Sequence, residues 1–357
     1  MKLLHSIAIT VLLSTSAYAQ QDIELNGTTA YPVVKTSRNL FQSNGASKYI
    51  RLLNMELSQN AWSKLTKPAN ILLETNPIAT ETLNLPTQVQ LGMNQLPVLD
   101  QGSYGTCVTF ANTAAIDAVL NRGDYISQLC QLELGQYLEN NTNGSFLSGW
   151  SGSMGPMVLT QMDHFGFVTK HIEQTIGCAG LSKYPTDGNI PQNEVDLPDY
   201  KKISTSLTNE TFNVGWSSLM DFNQAFDDET DRKQLLTAVK ESLNHGDRLT
   251  FGVLLFSPQI GMAGAVGKHT VSNDTWIITP AIDDMINIHD VHGGHEMIIT
   301  GYDDNAIATD ENGQLYKGLL TLRNSWGKYA GDAGNFYMSY DYFTRLTVEV
   351  QRIRRLY

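Results

Sequence analysis

Three short blocks, far apart along the chain, constrain its fold more than any other feature. QGSYGTC places Gln101 six residues before Cys107, GGHEMIITGYDD supplies His295, and LRNSWG supplies Asn324. A thiol is weakly ionised near neutral pH, so a nucleophilic thiol needs a base, a group that orients the base, and donors for an oxyanion. His295, Asn324 and Gln101 fit these three roles, which requires a fold that brings distant segments together.

These blocks resemble those of the papain-like cysteine peptidases, which carry Q-G-x-x-G-x-C, a His-centred strand ending in G-Y, and N-S-W-G. The matching blocks span 101–107, 295–302 and 324–327, and the resemblance covers 85–357, the expected peptidase domain. It implies an α+β, two-lobed papain-like fold with a helical N-terminal lobe and an antiparallel β-sheet or barrel in the C-terminal lobe. The active-site cleft is then expected between the lobes.

The resemblance also assigns the catalytic roles. Cys107 is the expected nucleophile, with a depressed thiol pKa beside an imidazolium, and the alternative for this residue is a buried structural cysteine. His295 is the base, and Asn324 holds its ring through the amide oxygen. Gln101 donates to the oxyanion with the backbone N–H of Cys107. Trp326 is expected to shield the His–Asn hydrogen bond and to border the substrate site, with simple core packing as the alternative.

A second interpretation of the histidines is a metal site. His289, His292 and His295 are spaced by three residues. On a strand, however, an odd spacing points successive side chains to opposite faces, so the three could not converge on one ion without a loop. We therefore expect no metal and no cofactor.

Two departures from the family pattern lie near the expected substrate site. Many relatives carry a cysteine three residues before the nucleophile, bonded to a second cysteine near a substrate-binding glycine pair. This chain has Tyr104 and Trp150 there, which predicts an aromatic contact in place of the bridge. The glycine pair reads Gly152 and Ser153, and we expect these residues and Met154 to contact an extended peptide.

The N-terminus has the layout of a secretory signal peptide. Lys2 precedes an apolar run over 7–13, and Ala17-Tyr18-Ala19 follows, so residues 1–19 are the predicted signal and cleavage is expected after Ala19. The alternative, a retained membrane anchor, requires a longer apolar stretch. The mature protein is therefore expected to be secreted, periplasmic or extracellular, without a membrane anchor.

Export places the three cysteines in an oxidising compartment. If Cys107 is the nucleophile, Cys130 and Cys178 remain to form a disulfide. A loop of 178 − 130 = 48 positions would stabilise the fold by about 4 kcal/mol on the chain-entropy model.

Residues 20–84 have the position and size of a prosegment that occupies the cleft, and an ordinary structural extension is the alternative. The pattern predicts a strand near Tyr31–Val34 and a helix over Lys48–Leu65 with Ser47 as N-cap. The irregular stretch Lys67–Pro86 is interpreted as a linker.

The remaining chain is predicted to be helical at the front and strand-rich at the back. Helices are expected over Thr106–Arg122, beginning at the cysteine, and over Met157–His164. Strands are predicted to begin near Phe251, Met297, Gly318 and Asn335. Two stretches, 182–232 and 303–317, are expected as surface insertions.

A formal net charge of −12 with only 24 Lys and Arg residues argues against nucleic acid as a partner. The expected partners are a peptide or protein substrate and the chain's own prosegment. The combined expectation is an exported cysteine peptidase made as a zymogen. A papain-fold acyl transferase and a non-catalytic binding module or pseudoenzyme are the alternatives.

Overall fold

The computed structural model describes residues 22–32, 49–66, 85–142, 146–186, 188–209, 211–227, 230–256, 274–290, 293–310 and 312–356. The predicted signal peptide, 1–19, lies outside these residues. The strands are β1 (Ile23–Pro32), β2 (Tyr49–Leu57), β3 (Gln88–Gln90), β4 (Val214–Met220), β5 (Arg248–Leu255), β6 (Thr275–Trp276), β7 (Gly293–Thr309), β8 (Leu315–Arg323), β9 (Asn335–Ser339) and β10 (Thr347–Arg355).

Helices occupy mainly the first half of the described chain. They are α1 (Gln59–Leu65), α2 (Cys107–Leu120), α3 (Gln128–Asn141), α4 (Gly155–Phe165), α5 (Lys170–Thr175), α6 (Leu197–Ile203), α7 (Arg232–Asn244), α8 (Pro280–Asn287) and α9 (Tyr340–Leu346). None of these helices combines the length and the apolar character needed to cross a bilayer. The predicted α+β class is confirmed.

The strands form one sheet with the order β4-β10-β5-β7-β8-β9-β6, and β2 and β3 also pair with β7. The pairings are antiparallel, as predicted, except that β6 runs parallel to β9. Strands β5, β7, β8 and β9 include the four predicted strands. The central strand β7 carries His295 and has β5 and β8 as its neighbours along the sheet.

Helix α2 begins at Cys107, as predicted, and ends at Asn121, whose backbone is left-handed (φ 56°). Its sequence is rich in alanine and apolar on nearly every side, so it can be buried all round. The helix packs on β5, β7 and β10 and against α3 and α4. The predicted helix over Met157–His164 lies within α4.

The predicted helix over Lys48–Leu65 is wrong in its first half. Tyr49–Leu57 forms β2, and only Gln59–Leu65 is helical, with the side chain of Ser58 as N-cap. Ile50, Leu53 and Leu57 satisfy helical spacing, but pairing with β1 and β7 selects the strand. Ser47 lies outside the described residues, as do Val33 and Val34 of the predicted first strand.

The two stretches expected as surface insertions also contain regular structure. The stretch 182–232 holds α6 and the edge strand β4, and it buries Tyr200 and Met220. The second stretch is mainly the outer end of the β7–β8 hairpin. The expectation comes from extra length relative to the family pattern and, for 182–232, from polar composition, and neither reveals strands that pair with distant segments.

Two predicted contacts in the helical part are present. Cys130 and Cys178 form a disulfide, with Cα atoms 5.4 Å apart. Tyr104 and Trp150 make an edge-to-face contact with ring centroids 5.3 Å apart. Tyr184 stacks on Trp150 at 5.7 Å and contributes to the same buried cluster.

Candidate active site

Cys107 occupies the first position of α2, where backbone N–H groups have no partner within the helix. Its side chain is fully buried, and it is the free cysteine of the described residues. The backbone N–H of Glu296 donates to its sulfur. Because Glu296 directly follows His295, the thiol lies beside the strand that carries the imidazole.

Only one of the two ring nitrogens of His295 has a hydrogen-bond partner among the described residues. Its Nε2 lies 2.8 Å from Oδ1 of Asn324, which also accepts the backbone N–H of Ser325 at 2.7 Å. An oxygen can only accept, so this contact places the ring proton on Nε2. The other nitrogen, Nδ1, is buried and makes no hydrogen bond with any described residue, including Cys107. A lone pair on Nδ1 is therefore left to receive a proton.

Trp326 stacks on the imidazole, with ring centroids 4.7 Å apart and planes inclined by 28°. It also contacts Trp276 edge-on at 6.2 Å and Phe336 at 5.5 Å. The ring therefore belongs to the aromatic core and at the same time covers the histidine. The expected core packing is present, and shielding of the His–Asn hydrogen bond stays a prediction.

Gln101 joins the loop before Cys107 to the segment after β8. Its Oε1 accepts the hydroxyl of Ser325 at 2.7 Å, and its backbone N–H donates to the carbonyl of Ser325 at 2.8 Å. Its Nε2 donates to the carbonyl of Tyr104 at 2.9 Å. An amide nitrogen carries two hydrogens, so one can still be donated to an oxyanion near Cys107.

Burial sets the charge state of this site. Desolvation raises the pKa of the Cys107 thiol to about 12, with a further increase from the nearby Glu296 carboxyl. Desolvation also lowers the pKa of His295 to about 4, against the opposing effect of its bond to Asn324. In this conformation the thiol and imidazole are both neutral, which differs from the expected ion pair. The reason is that neither charge is exposed to water.

The β1–β2 hairpin packs on segments that flank the buried thiol and imidazole. Leu53 of β2 pairs with Gly294, next to His295, and Leu52 lies against Gly293. A Cβ added at Gly152 would lie 2.8 Å from Cδ2 of Leu53, so the hairpin also packs directly on the expected substrate-binding glycine.

The same hairpin contacts the loop that leads to the cysteine. A Cβ added at Gly105 would lie 2.5 Å from the methyl group of Thr28, and Arg51 donates to the carbonyl of Ser103 at 2.9 Å. The hairpin therefore lies across three segments of the candidate site, those at 103–105, 152 and 293–294.

The expected substrate-binding residues lie together before α4. Gly152 has φ 119°, a conformation that favours glycine, Ser153 is buried, and Met154 is the N-cap residue of α4. A cavity of about 220 Å³ lies between this segment and the hairpin. Its lining includes Leu25, Leu53, Leu147, Trp150, Gly152 and Ile190.

The spaced histidines have different surroundings. His289 stacks on Trp62 of α1 with ring centroids 4.4 Å apart, whereas His295 stacks on Trp326. His292 lies outside the described residues. Within the described part of the chain, no group of three His, Cys, Asp or Glu residues is arranged to hold a metal ion.

Sequence reasoning missed two polar groups at this site. Ser325 bridges Gln101 and Asn324, and its position within the N-S-W-G block was the available signal. Glu296 is buried directly after His295, and a charged residue that directly precedes the apolar stretch 297–299 could have indicated a buried partner.

Known proteins that are similar to this chain are found among solved structures. No protein-family model matches the chain. No curated protein matches it either. Xylellain, a cysteine protease from Xylella fastidiosa, has 19% identity over 76% of this chain and 87% of its own, with a TM-score of 0.45. The chain is similar to papain-like cysteine proteases.

Two precursors give comparable overlaps. Digestive procathepsin L 3 of Tenebrio molitor larval midgut has 16% identity over 83% of this chain and 78% of its own, with a TM-score of 0.45. Recombinant stem bromelain precursor has 13% identity over 77% of this chain and 72% of its own, with a TM-score of 0.46. Because the identities and TM-scores are this low, the function has to be argued from the side chains of the site and not from the structural similarity.

Proposed function

We propose that the chain is an exported cysteine peptidase, made in a latent form, in which Cys107, His295, Asn324 and Gln101 hydrolyse peptide bonds. The observation that carries this proposal is the orientation of the imidazole ring. Its Nε2 is fixed by Asn324 at 2.8 Å, and its Nδ1 is left without a described hydrogen-bond partner beside the start of α2. In a two-lobed arrangement, α2 and its neighbouring helices form one wall of the cleft and the sheet forms the other.

The reaction follows from these positions. His295 takes the thiol proton on Nδ1, and the Cys107 thiolate attacks the peptide carbonyl. The oxyanion accepts hydrogen bonds from Nε2 of Gln101 and from the backbone N–H of Cys107 at the positive end of α2. His295 then protonates the leaving amine to give a thioester. In the second half-reaction, His295 takes a proton from a water molecule as its oxygen attacks the thioester carbonyl. The C–S bond then breaks, the acid leaves, and the thiolate regains the proton from His295.

Latency is the proposed role of the hairpin that precedes the peptidase domain. A peptide substrate must reach Cys107 between 103–105, 152 and 293–294, which are the segments the hairpin contacts. While the hairpin is in place, desolvation favours the neutral thiol and imidazole. Its displacement admits water and substrate, and both lower the cost of forming the ion pair. We place the prosegment at 20–84, and the described hairpin belongs to it.

Export is supported by the signal-like residues 1–19 and by the disulfide between Cys130 and Cys178. Disulfides persist in oxidising compartments and are rare in reducing ones. The proposed location is the periplasm or the extracellular space after removal of the signal.

The proposal is tested by the rate at which an epoxide probe or iodoacetamide alkylates Cys107 in the full chain. Displacing the hairpin with Leu53→Asp should accelerate alkylation, and adding His295→Ala should remove the acceleration. The matched control is His245→Ala, which changes an exposed histidine at the end of α7 and should leave the rate unchanged. Alkylation of Cys107 in the chain with both Leu53→Asp and His295→Ala is expected to be only as fast as alkylation of a free thiol peptide. A His295→Ala rate equal to that of its parent would contradict the proposal.

A peptide-library digest with the Leu53→Asp chain identifies the reaction. New peptide termini that carry oxygen from labelled water indicate hydrolysis. Products extended by an added amine would instead indicate acyl transfer on the same thioester. Rapid alkylation without any cleaved or extended product would exclude both enzymatic assignments.

A further inference from the structure

Two buried glutamates meet behind the candidate active site. Glu296 on β7 and Glu349 on β10 are 2% and 3% exposed, and their carboxyl groups are within hydrogen-bonding reach of each other. Neither belongs to the proposed catalytic groups. A carboxyl that is removed from water without a cation is ordinarily protonated or bonded to donors.

The sheet register explains how they meet. Glu296 pairs with Gly252 on one side of β5, and Glu349 pairs with the same glycine on the other. Both side chains therefore lie on the same face of the sheet, separated by a residue without a side chain. A Cβ added at Gly252 would lie 2.9 Å from Cγ of Glu349. The glycine leaves the space in which the two carboxyl groups approach each other.

The pair contacts each of the segments that carry the site. Oε1 of Glu296 accepts Nδ2 of Asn112 from α2 at 2.6 Å, and Thr250 donates to Oδ1 of that asparagine at 2.9 Å. Oε1 of Glu349 accepts the backbone N–H of Gly155 at 3.0 Å, at the start of α4 and directly after the expected substrate-binding residues. Helix α2, strand β7 and the start of α4 are thus joined through two carboxyl groups.

The charges around the pair leave one proton to be shared. Groups facing it are Cys107 and Asn112 (α2), Gly155 (α4), Asp221 (after β4), Thr250 (β5) and Gln351 (β10). No described Lys or Arg forms an ion pair with either carboxyl. Two carboxylates in contact would repel each other, and two acids would leave the N-terminus of α4 without its anion.

We propose that Glu296 and Glu349 hold a single proton as an acid–carboxylate pair, and that this pair positions the nucleophile helix, the histidine strand and the substrate wall. Glu296 is the acid, because its Oε2 has no other described hydrogen-bond partner. Glu349 is the carboxylate, because it accepts the first N–H of α4. Above the pH at which hydroxide removes the shared proton, two carboxylates face each other and the three segments separate. The positioning role rests on the proposed peptidase function, whereas the shared proton does not.

Infrared spectroscopy tests the shared proton without any reaction. The full chain with Cys107→Ser is compared with the same chain carrying Glu296→Gln at pH 7, in the C=O stretching band of protonated carboxyl groups. Burial also raises the pKa values of Asp117 and Glu133 to about 8, so these groups contribute equally to both spectra and cancel. A protonated-carboxyl band lost in Glu296→Gln is expected. Identical spectra would overturn the proposal.

The positioning role is tested by the pH dependence of Cys107 alkylation in the full chain opened by Leu53→Asp. The rate of the parent should fall at alkaline pH, and Glu296→Gln, which keeps a donor to Glu349, should move that fall upward by at least one pH unit. The matched control is Glu133→Gln, which changes a buried glutamate of α3 and should leave the profile unchanged. A Glu296→Gln profile superimposed on that of the parent, or an equal shift in Glu133→Gln, would refute positioning by the pair.

Gly252→Ala provides a second route if Glu296→Gln does not fold. It keeps both carboxyl groups and inserts a methyl group between them. We expect the infrared band to shift and the alkaline fall to begin at lower pH. Retention of both wild-type signals in a folded Gly252→Ala chain would show that contact between the two carboxyl groups is not required.

Discussion

Adjacent residues His295 and Glu296 point to opposite faces of β7, and burial acts on them in opposite directions. On one face, His295 bonds Asn324 and stacks on Trp326, and burial lowers its pKa to about 4. On the other, burial and the neighbouring Glu349 raise the pKa of Glu296 well above its ordinary value. The base loses its proton and the acid keeps one, so both become neutral. Burial therefore makes a base and an acid on neighbouring residues both neutral.

The two faces also differ in what covers the strand. Next to His295, the cover includes the β1–β2 hairpin, which meets β7 at Leu53 and Gly294. Over Glu296, the cover is α2, which also packs on β4, β5 and β10 and against α3 and α4. In the proposed latent form, the first cover is displaced on activation while the second stays packed. The histidine face is then the one whose charge state changes.

The largest expected effect comes from opening the first cover alone. Leu53→Asp removes about 1.5–3 kcal/mol of apolar burial and adds an unpaired carboxylate that costs several kcal/mol to bury. A combined change of about 4 kcal/mol corresponds to a rise of about 10³-fold in Cys107 alkylation. The measurement is the alkylation rate in the full chain at neutral pH. Leu315→Asp, at an exposed leucine of β8, is the control. An accelerated Leu315→Asp chain would indicate general unfolding instead.

The second prediction uses pH to separate the faces. The pKa of His295 falls from 6.5 to about 4 on folding, so the free energy of unfolding should decrease as pH falls from about 6.5 to about 4. Burial and the neighbouring Glu349 raise the pKa of Glu296 well above its ordinary value, so the free energy of unfolding should decrease as pH rises above that ordinary value. The acid-side change at His295 is worth roughly 3 kcal/mol.

Urea unfolding at a series of pH values, on the full chain with Cys107→Ser, measures both slopes. His295→Gln should remove the loss on the acid side and leave the opposite slope intact. Glu296→Gln should do the reverse. If either variant removes the pH dependence of the free energy of unfolding on both sides, the two faces of β7 do not titrate independently, which would contradict this prediction.

Much of the histidine face could be predicted from the sequence, because its residues lie in short blocks with a known order. The start of α2 at Cys107 follows from a local pattern, whereas the pairing of His295 with Asn324 and the contact of Tyr104 with Trp150 follow from the resemblance to papain-like peptidases. The glutamate face could not be predicted in this way. Glu296 and Glu349 meet only because both are in register with Gly252, and no local pattern encodes the pairing of three strands.

The hairpin illustrates the same limit. Ile50, Leu53 and Leu57 have helical spacing, yet the segment forms β2 because β1 and β7 supply its hydrogen-bond partners. A spacing pattern reports which residues are buried, and two secondary structures can bury the same set. The prosegment at 20–84 stays a prediction, whereas the first half of the helix predicted from periodicity is replaced by β2.

The third prediction compares two asparagines, one on each face. Asn324→Ala leaves the imidazole unoriented, and the loss of one hydrogen bond to it, about 1–3 kcal/mol, should slow alkylation of the opened chain about tenfold to hundredfold. Asn112→Ala leaves Oε1 of Glu296 and the hydroxyl of Thr250 without their partner. It should instead lower the free energy of unfolding by about 1–3 kcal/mol. Both variants are measured in both assays, and an exchange of the two outcomes would contradict the comparison.

The smallest expected effect concerns the ring that covers the histidine. Trp326→Phe keeps an aromatic side chain but reduces the surface stacked on His295, now 4.7 Å away. Aromatic contacts contribute about 0.5–1.5 kcal/mol beyond burial, so alkylation of the opened chain should slow by less than about tenfold. Trp276→Phe is the matched control, because Trp276 contacts Trp326 and Phe336. It should lower the free energy of unfolding and leave the pH profile of alkylation unchanged. If Trp276→Phe shifts that profile as much as Trp326→Phe does, core packing alone accounts for the tryptophan.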